Sequence, residues 1–542
     1  MSKMIDHRFI SSLREFPSKL RARLLIAGLL LAGTGLIRDA YAHRLRSQGR
    51  DGAVVFLRPA TRAIQILIVV IALLIWLDNA GFNITTILAT LGIGGVAIKL
   101  CSNAVSGTTS YSLRQVGLTS SCILLLAACS SQRVMMPTPN VYVDSDAETY
   151  EILPQELKST HVPLFYVTDR LAEKDENGQL KYGYGRSASL AFGSAMVDLG
   201  EDISWEQLLD ASRAQKRLKK VSMKVQDIHE ITRGPNTPIP YTEIDGEIVE
   251  DPEYVAKRRA QGEIFRKSVV HQLALTPRKE VFVFVHGFHN DFDDAAFAMA
   301  ELWHFLGRIG VPIVYTWPAG HPGLFGYTYD RESSEFTVYH LRRVISYLAS
   351  FPEVEKINII AHSRGTDVAV SALRELTIAA RAAGNNPREY YKIHNFVLAA
   401  PDLDAQVAIQ RIVGDYLTLS ANRFTIYTSP ADKAIGWSSK LFASPRGRIG
   451  NLQVMDLPEE LRKAMERSSA NFAFINFLSS SDKSDSNADS FGHSYFRNAP
   501  TVSSDLILML RDDLDPGPPD RPLEYLGAKF WRVPPGYPAT NQ

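Results

Sequence analysis

The chain has 542 residues, of which 45% are hydrophobic and 22% are charged, and its net charge is +1. This length is enough for two or more domains, and the near-neutral charge argues against nucleic acid as the main partner. All three cysteines, Cys101, Cys122 and Cys129, lie in the first quarter of the chain. Residues after 129 therefore form neither a disulfide nor a thiolate metal site, and their fold depends on an apolar core.

Two apolar segments with basic flanks lie near the N-terminus. They are "LLIAGLLLAGTGLI" (24–37) and "AIQILIVVIALLIWL" (63–77), and lysine or arginine residues precede each. Both are shorter than the about 20 residues of a spanning helix, although flanking residues extend them. Apolar segments in succession with basic flanks favour transmembrane helices in residues 1–115 over buried helices of a soluble domain.

A third apolar segment, "VGLTSSCILLLAACSSQ", has the layout of a bacterial lipoprotein signal. Its apolar core ends in small residues before Cys129, and a polar, proline-containing stretch follows. We interpret 116–129 as this signal, Cys129 as the candidate for lipidation and 130–160 as a linker. A third membrane helix that is not cleaved is the alternative. Either way, basic residues before the first segment place the N-terminus inside the cell.

The stretch "FLRPATRAIQILIVVIALLIWLDNAGFNITTILATLGIGGVAIKL" resembles the pore-proximal membrane part of the small-conductance mechanosensitive channels. That resemblance covers roughly residues 38–100. In that family a soluble beta domain follows, whereas this sequence continues into the signal-like segment. We therefore interpret the fragment as a membrane anchor, with the rest of the chain in the periplasm, tethered to the inner membrane or by a lipid.

After Cys129 the periodicity alternates between strand and helix. Short apolar runs predict the strands, and 3.6-residue spacing predicts helices between them. The predicted strands are "VFVFVHGF", "VPIVYTWPAG", "KINIIAHS", "HNFVLAAPD" and "RFTIYTSPAD". This order predicts an α/β domain over 161–513 with a mainly parallel central sheet covered on both faces. Residues 160–280 are interpreted as strands and turns before the main sheet, and the proline-rich tail 514–542 has no assigned role.

Ser363, in "NIIAHSRGTDVAV", follows one of these strands and precedes a predicted helix. A nucleophile elbow requires small residues two positions before and after the serine, as in G-x-S-x-G. Here those residues are Ala361 and Gly365. The motif predicts a nucleophile, and the alternative is a serine that caps the helix.

The partners of an elbow serine follow it along the chain in the order acid, then histidine. Only His394 and His493 lie downstream of Ser363, and His394 begins an apolar run, which predicts a place at the foot of a strand. His493 lies in a loop before the final helix and is the predicted base. Asp432 follows the later strand and is the predicted acid, with Asp402 as the alternative.

Two backbone N–H groups are expected to form the oxyanion hole, one after the nucleophile and one after the first central strand. They belong to Arg364 and to Phe288, which follows the turn residue Gly287. The aromatic, glycine-rich loop "WPAGHPGLFGYTY" is expected to line the acyl pocket. A competing interpretation makes zinc ligands of four residues, His286, His289, Asp291 and His362, but it lacks further carboxylates on facing strands.

Seven motifs together resemble the bacterial alpha/beta hydrolases of the uncharacterised esterase/lipase superfamily over about residues 160–513. They are "VPLFYVTDR", "HGFHNDFDDAAFAMAEL", "YTWPAG", "IIAHSRGTDV", "APDLDAQV", "YTSPADKA" and "GHSYF". The resemblance implies the alpha/beta-hydrolase fold and hydrolysis of a small-molecule or lipid ester without a cofactor or metal. It also implies Ser363 as nucleophile, Asp432 as acid, His493 as base and an oxyanion hole near Gly287 and Phe288.

The sequence therefore predicts a membrane-associated serine hydrolase that forms an acyl-enzyme. Two other hypotheses remain at this point. The hydrolase-like domain could be an inactive binding scaffold, since a fold does not guarantee its chemistry. The chain could also be a fusion related to a membrane channel, against which the missing beta domain argues.

Overall fold

The computed structural model describes residues 133–538 except 144, 146–147, 323–325, 443 and 479–491, together with residues 61 and 65. The N-terminal apolar segments, the channel-like fragment and Cys129 lie outside the described residues, apart from those two positions. Among the described residues, no helix has both the length and the apolarity of a membrane-spanning segment.

The chain divides into two compact units, and nearly all described residues belong to the unit formed by Ser110–His321 and Phe325–Gln542. The strands of this unit are β1 (His161–Lys174), β2 (Leu180–Leu199), β3 (Met223–Arg233), β4 (Tyr241–Ile244), β5 (Glu247–Glu250), β6 (Glu280–Val285), β7 (Val311–Thr316), β8 (Lys356–His362), β9 (Ile393–Ala399), β10 (Arg423–Thr428), β11 (Phe472–Asn476), β12 (Glu524–Gly527) and β13 (Phe530–Arg532).

The α-helices are α1 (Glu148–Glu151), α2 (Trp205–Arg213), α3 (Pro252–Ala274), α4 (Phe292–Phe305), α5 (Gly326–Ala349), α6 (Gly365–Ala382), α7 (Pro387–Tyr390), α8 (Ala405–Ala408), α9 (Lys433–Leu441), α10 (Glu459–Arg467), α11 (Tyr495–Asn498) and α12 (Pro500–Arg511). A π-helical turn spans Ile409–Gly414, and short 3₁₀ helices span Asn140–Tyr142, Gln155–Leu157, Leu417–Leu419, Ile449–Asn451 and Val454–Asp456.

Among the described residues, eleven strands form one sheet in the order β12-β13-β11-β10-β9-β8-β6-β7-β1-β2-β3. The strands from β13 to β1 in this order run parallel. The pairs β12–β13, β1–β2 and β2–β3 are antiparallel, and β4 and β5 form a separate hairpin. These strand directions confirm the predicted mainly parallel sheet. The apolar runs of its central strands are buried on both faces, as is usual for parallel strands.

Alternate side chains of each central strand enter two different cores. In β6, Phe282 and Phe284 pack on the face that also receives α4 and α12, whereas Val281, Val283 and Val285 pack on the face covered by α3, α5 and α6. Successive residues of a strand point to opposite faces, so an uninterrupted apolar run fills both cores. The parallel strands therefore end at one edge, where the loops after β6, β8, β9 and β10 meet.

The region before β6 extends the main sheet instead of preceding it. Strand β1 pairs in parallel with β7, and β2 and β3 continue the sheet as antiparallel strands. The region also contains α3, a 23-residue helix whose N-terminus is capped by the carboxylate of Asp251 and begins with Pro252. Proline at the first helical position and aspartate at the cap explain this start.

Residues 133–160, which the sequence assigns to a linker, are part of the folded domain. Met135, Met136, Tyr142 and Tyr150 are buried in the core on the α4 face. The Tyr142 hydroxyl donates to the Phe305 carbonyl oxygen at 2.7 Å. The linker assignment is corrected for this reason: the segment covers the apolar surface that α4 and α12 leave open, and such coverage depends on distant partners.

The proline-rich tail is corrected in the same way. Strand β13 pairs in parallel with β11, and Phe530 is buried against Phe474 with ring centroids 4.4 Å apart. Tyr537 is also buried, and its hydroxyl donates to Asp505 Oδ1 at 2.8 Å. The tail therefore closes one edge of the sheet, so the domain extends beyond the predicted boundary at residue 513.

Candidate active site

Ser363 lies in a sharp turn between β8 and α6. Its φ angle is +52°, a left-handed conformation that non-glycine residues adopt rarely. The turn is held by backbone hydrogen bonds from Ser363 N to Ala399 O at 3.0 Å and from Asp402 N to Ser363 O at 3.2 Å. Strain that is held in place by surrounding structure is typical of functional sites, and this geometry is that of a nucleophile elbow.

The small residues around the serine are required by close backbone contact. A Cβ atom on Gly365 would lie 2.2 Å from the carbonyl oxygen of His286, and one on Gly287 would lie 2.6 Å from Ser363 Cβ. Ala361 is fully buried in β8. The turn after β6 and the elbow after β8 therefore press against each other, which places Phe288 beside the serine.

His493, the predicted base, and Asp432, the predicted acid, lie within hydrogen-bond distance of each other. The distance from His493 Nδ1 to Asp432 Oδ2 is 2.7 Å, and the Asp432 side chain is buried. The other carboxylate oxygen, Oδ1, accepts from Ile435 N at 3.0 Å and so caps α9. The cap and the histidine together hold both oxygens of Asp432, and the imidazole is oriented with Nδ1 toward the acid.

His493 also lies against the residue that precedes the serine. Its ring centroid is 4.9 Å from that of His362, and the His362 ring lies 4.8 Å from Phe496. Burial, together with the neighbouring His493, holds the pKa of His362 well below its usual value. His362 is therefore neutral near pH 7 and supports the His493 ring by packing.

Asp402, the alternative acid, has other partners. Its Oδ2 accepts from the Tyr327 hydroxyl at 2.9 Å, and its Oδ1 accepts from Ser438 Oγ at 2.7 Å. Arg448 Nε forms an ion pair with the same Oδ1 at 3.1 Å. The structure thus brings Asp432 to His493 and keeps Asp402 in a separate buried network.

His394, the other downstream histidine, lies near the start of β9, at the opposite end of that strand from the elbow. Its Nε2 is 2.8 Å from Asp513 Oδ1. Asp513 also receives a hydrogen bond from Arg423. His394 therefore belongs to an ionic cluster near the amino ends of the strands.

The turn that carries Phe288 is fixed on both sides. Gly287 N donates to Asn290 Oδ1 at 3.2 Å, and His289 N donates to Asp330 Oδ2 at 3.0 Å. In the part of the chain that the structure describes, neither Phe288 N nor Arg364 N donates a hydrogen bond. These two N–H groups belong to the two turns that pack together around Ser363.

The proposed zinc ligands are engaged separately. His286 Nδ1 lies 2.9 Å from Gly287 O and its Nε2 accepts from Trp317 N at 3.0 Å, while Asp291 caps α4 through Asp294 N. Burial, and then the positive charge of Arg170, hold the pKa of His286 well below its usual value. Within the described ranges, no group of three or more histidine, cysteine and acidic residues is arranged to hold a metal ion.

Arg170 is a structural contributor to the site that sequence reasoning missed. It is almost fully buried, and its guanidinium donates to the carbonyl oxygens of Ala319 and Asn290, each at 2.8 Å. It also donates to Thr316 Oγ1 at 2.7 Å and lies 3.3 Å from His286 Nε2. Arg170 therefore connects the loops after β6 and β7. The only signal was its place in "VTDR" within β1.

Aromatic side chains cluster beside the turn that carries Phe288. The Tyr327 ring lies 4.9 Å from Phe288 and 5.1 Å from Phe442, measured between centroids. Tyr327 comes from the loop that the sequence predicts for the acyl pocket, of which residues 323–325 are outside the described residues. An apolar group bound near Phe288 would meet these rings.

The parallel sheet, the elbow and the pair formed by Asp432 and His493 define the class of alpha/beta hydrolases. Residues 262–510 match the model of a family described as "Alpha/beta hydrolase of unknown function (DUF900)". The matched segment includes β6 to β11 and all three residues of the predicted triad. This segment is therefore an alpha/beta-hydrolase domain, and the match suggests hydrolase activity. A comparison with curated proteins found no match.

Proposed function

We propose that the protein is a serine hydrolase that cleaves carboxylic esters through an acyl-enzyme on Ser363. The observation that carries this proposal is the 2.7 Å contact between His493 Nδ1 and Asp432 Oδ2, beside a serine held at a φ angle of +52°. A serine that only capped a helix would need neither a strained conformation nor a buried pair of acid and histidine nearby.

In the first step, His493 Nε2 takes the proton of Ser363 Oγ as that oxygen attacks the ester carbonyl carbon. Asp432 accepts the Nδ1–H hydrogen bond, which selects the required tautomer and stabilises the imidazolium. The proton then passes from His493 to the leaving alcohol, and the acyl group remains on Ser363. The bond that forms is Oγ–C, and the bond that breaks is the ester C–O bond.

The negative charge that develops on the carbonyl oxygen is held by the N–H groups of Phe288 and Arg364. Backbone donors fixed before the reaction need no reorganisation, which is why such sites are effective. In the second step His493 takes a proton from water as the water oxygen attacks the acyl carbon. The acyl C–Oγ bond then breaks and the proton passes from His493 to Oγ, which releases the acid and restores Ser363. No cofactor is required for either step.

The substrate in this proposal is a small-molecule or lipid ester. The rings of Phe288, Tyr327 and Phe442 support an apolar acyl group near the oxyanion hole, because aromatic faces offer a large contact area. The Arg364 side chain forms an ion pair with Asp367 at 2.8 Å. Its positive charge is therefore already balanced next to the backbone N–H group of the same residue. An uncharged ester group therefore fits this environment better than an anionic one.

The test uses the full chain, a series of p-nitrophenyl acyl esters and the Ser363→Ala variant. We expect burst release followed by turnover in the original protein, and a fall in kcat of at least about 10³-fold in the variant. Ser371→Ala, eight residues further along α6, is the matched control and should keep the activity. A fluorophosphonate probe should label Ser363, as seen by mass spectrometry of the peptide.

Two results would overturn the proposal. One is ester turnover that is equal in the original protein and in Ser363→Ala. The other is a folded protein that neither turns over any ester nor reacts with the probe. The second result would favour a hydrolase-fold binding protein, in which the elbow geometry remains without the chemistry.

We also propose that the protein is associated with the membrane, with its hydrolase domain in the periplasm. The support is the sequence of residues 1–132: basic flanks, apolar segments and the lipoprotein-like motif at Cys129. Labelling with an alkyne fatty acid should modify the original protein and spare Cys129→Ala. Protease added to spheroplasts should digest the hydrolase domain, and full protection would contradict the periplasmic location.

A further inference from the structure

A cavity of about 520 Å³ lies between α3, the C-terminal part of α5, strand β2 and the segment that follows β3. Its apolar lining includes Leu190, Phe192, Val255, Tyr347 and Phe351. Buried residues of α3 begin only at Phe265, so the first three turns of this helix cover the space without filling it. A volume of this size is in the range of small-molecule sites.

The cavity is separate from the site around Ser363. Helix α5 connects the two places: Tyr327, near its start, contacts Phe288, whereas Tyr347, near its end, lines the cavity. Twenty helical residues span about 30 Å. A ligand in this cavity therefore does not contact the catalytic residues, and the inference does not depend on the proposed ester hydrolysis.

Four arginines also line the cavity, and they divide into two kinds. Arg258 pairs with Glu250 at 3.0 Å, and Arg266 pairs with Glu263 at 2.6 Å and with Glu353. The other two are Arg259, which is exposed, and Arg343, whose NH1 donates to the Tyr339 hydroxyl at 2.9 Å. Among the described residues, neither of these two has a carboxylate partner.

Gln261, which also lines the cavity, has a buried side-chain oxygen without a hydrogen-bond partner among the described residues. The oxygen and nitrogen of a glutamine amide exchange places by rotation. The same position can therefore donate to an anion that enters the cavity. An apolar space with an unsatisfied amide and two arginines that have no carboxylate partner among the described residues has the chemistry of a site for an anionic amphiphile.

We propose that this cavity binds a single-chain amphiphile with a carboxylate head group. The hydrocarbon chain lies against Phe192, Val255, Tyr347 and Phe351, which removes apolar surface from water. The carboxylate is bound by the guanidinium groups of Arg259 and Arg343. Carboxylates suit arginine because its donors are arranged to match their two oxygens.

The experiment measures binding of radiolabelled dodecanoate to the full chain by equilibrium dialysis. We expect saturable binding of one molecule per chain, at least tenfold weaker in the double variant Arg259→Gln/Arg343→Gln. Val255→Trp, which fills the cavity and leaves the arginines in place, should also weaken binding at least tenfold. Arg213→Gln on α2, a surface arginine outside the cavity, is the matched control and should bind as the original protein does.

Two further comparisons make the result specific. Dodecanol, which has the chain without the charge, should bind at least tenfold more weakly than dodecanoate. Ser363→Ala should bind dodecanoate as the original protein does, whether or not ester hydrolysis is observed. The losses in the arginine and Val255 variants are what assign the binding to this cavity, because both changes lie in its lining. Binding that does not saturate, or that is the same in the arginine and Val255 variants, would overturn the proposal. Equal binding of dodecanol and dodecanoate would also overturn it.

Discussion

Asp402 and Asp432 follow neighbouring parallel strands, and both are buried, yet they have different partners. Asp432 contacts His493 and caps α9. Asp402 instead forms an ion pair with Arg448 and accepts hydrogen bonds from the hydroxyls of Ser438 and Tyr327. The backbone N–H of Asp402 also holds the carbonyl oxygen of Ser363. The comparison teaches that two similar positions at one edge of a sheet can differ in role because of the segments that reach them.

The largest effect is expected from Asp432→Asn. Asparagine also caps helices well, so α9 should persist, but its amide does not select the Nδ1–H tautomer of His493 or stabilise the imidazolium. We expect kcat for ester hydrolysis to fall by about 10⁴-fold, with little change in the circular dichroism spectrum. A variant with kcat within tenfold of the original protein would remove Asp432 from the proposed triad.

Asp402→Asn should instead affect stability. Breaking a buried ion pair leaves Arg448 without its charged partner, and such changes reduce the free energy of unfolding by about 3 kcal/mol. Urea titration should detect this loss, while kcat/KM of the folded protein should change less than about tenfold. Asp210→Asn, at an exposed ion pair on α2, is the control and should leave stability nearly unchanged. If Asp402→Asn lost activity as fully as Ser363→Ala does, the roles of the two aspartates would be reversed.

Acid should destabilise the protein through His362, whose ring packs against His493 on the Asp432 side of the site. The folded-state pKa of His362 lies well below its usual value, mainly because of burial. The unfolded chain therefore takes up a proton first, so stability is complete above about pH 6.5 and falls as pH decreases toward the folded-state pKa. His362→Phe, which keeps an aromatic ring beside Phe496, should reduce this slope by up to about 1.4 kcal/mol per pH unit.

Urea unfolding of both proteins between pH 7.5 and 5 checks the prediction about His362. The free energies of unfolding of the original protein and the variant should differ less at pH 5 than at pH 7.5. Equal slopes in the two proteins would mean that His362 is protonated in the folded state or that other groups determine the acid dependence.

The smallest effect is expected from Tyr327→Phe. The change removes one hydrogen bond to Asp402 and keeps the ring that contacts Phe288. Burial and the negative charge of Asp402 raise the pKa of Tyr327 to about 12, so its hydroxyl remains protonated as a donor. We expect a loss of about 1 kcal/mol in unfolding free energy and a change in KM of a few fold at most. A large fall in kcat would show that Tyr327 acts on the reacting ester.

The sequence predicted the parallel sheet because its signals are local. Each central strand is a continuous apolar run, and the helices between them have a clear 3.6-residue period. The elbow was also visible, since Ser363, Ala361 and Gly365 are adjacent in the chain. The places of Asp432 and His493 in the proposed triad came from chain order and from their positions, one after the later strand and the other in a loop before the final helix. These signals did not exclude Asp402.

Features that depend on distant contacts were missed. Arg170 was not recognised because arginine is usually exposed, and most of its side-chain partners lie more than 100 residues further along the chain. Residues 133–160 looked like part of a linker, and the proline-rich C-terminal tail suggested no role. Their burial depends on the surface left open beside α4 and on the free edge of β11, neither of which has a local pattern.

By itself, then, the sequence determined the order of strands and helices and the position of the elbow, because backbone periodicity and small residues act within a few positions. The tertiary structure decided which aspartate meets His493, and it brought the turn at Phe288 against Ser363. It also formed the cavity under α3, since a cavity belongs to surfaces from four separate elements. The physical reason is that side-chain partners are selected by distance in space, and the sheet brings together residues that are far apart in the chain.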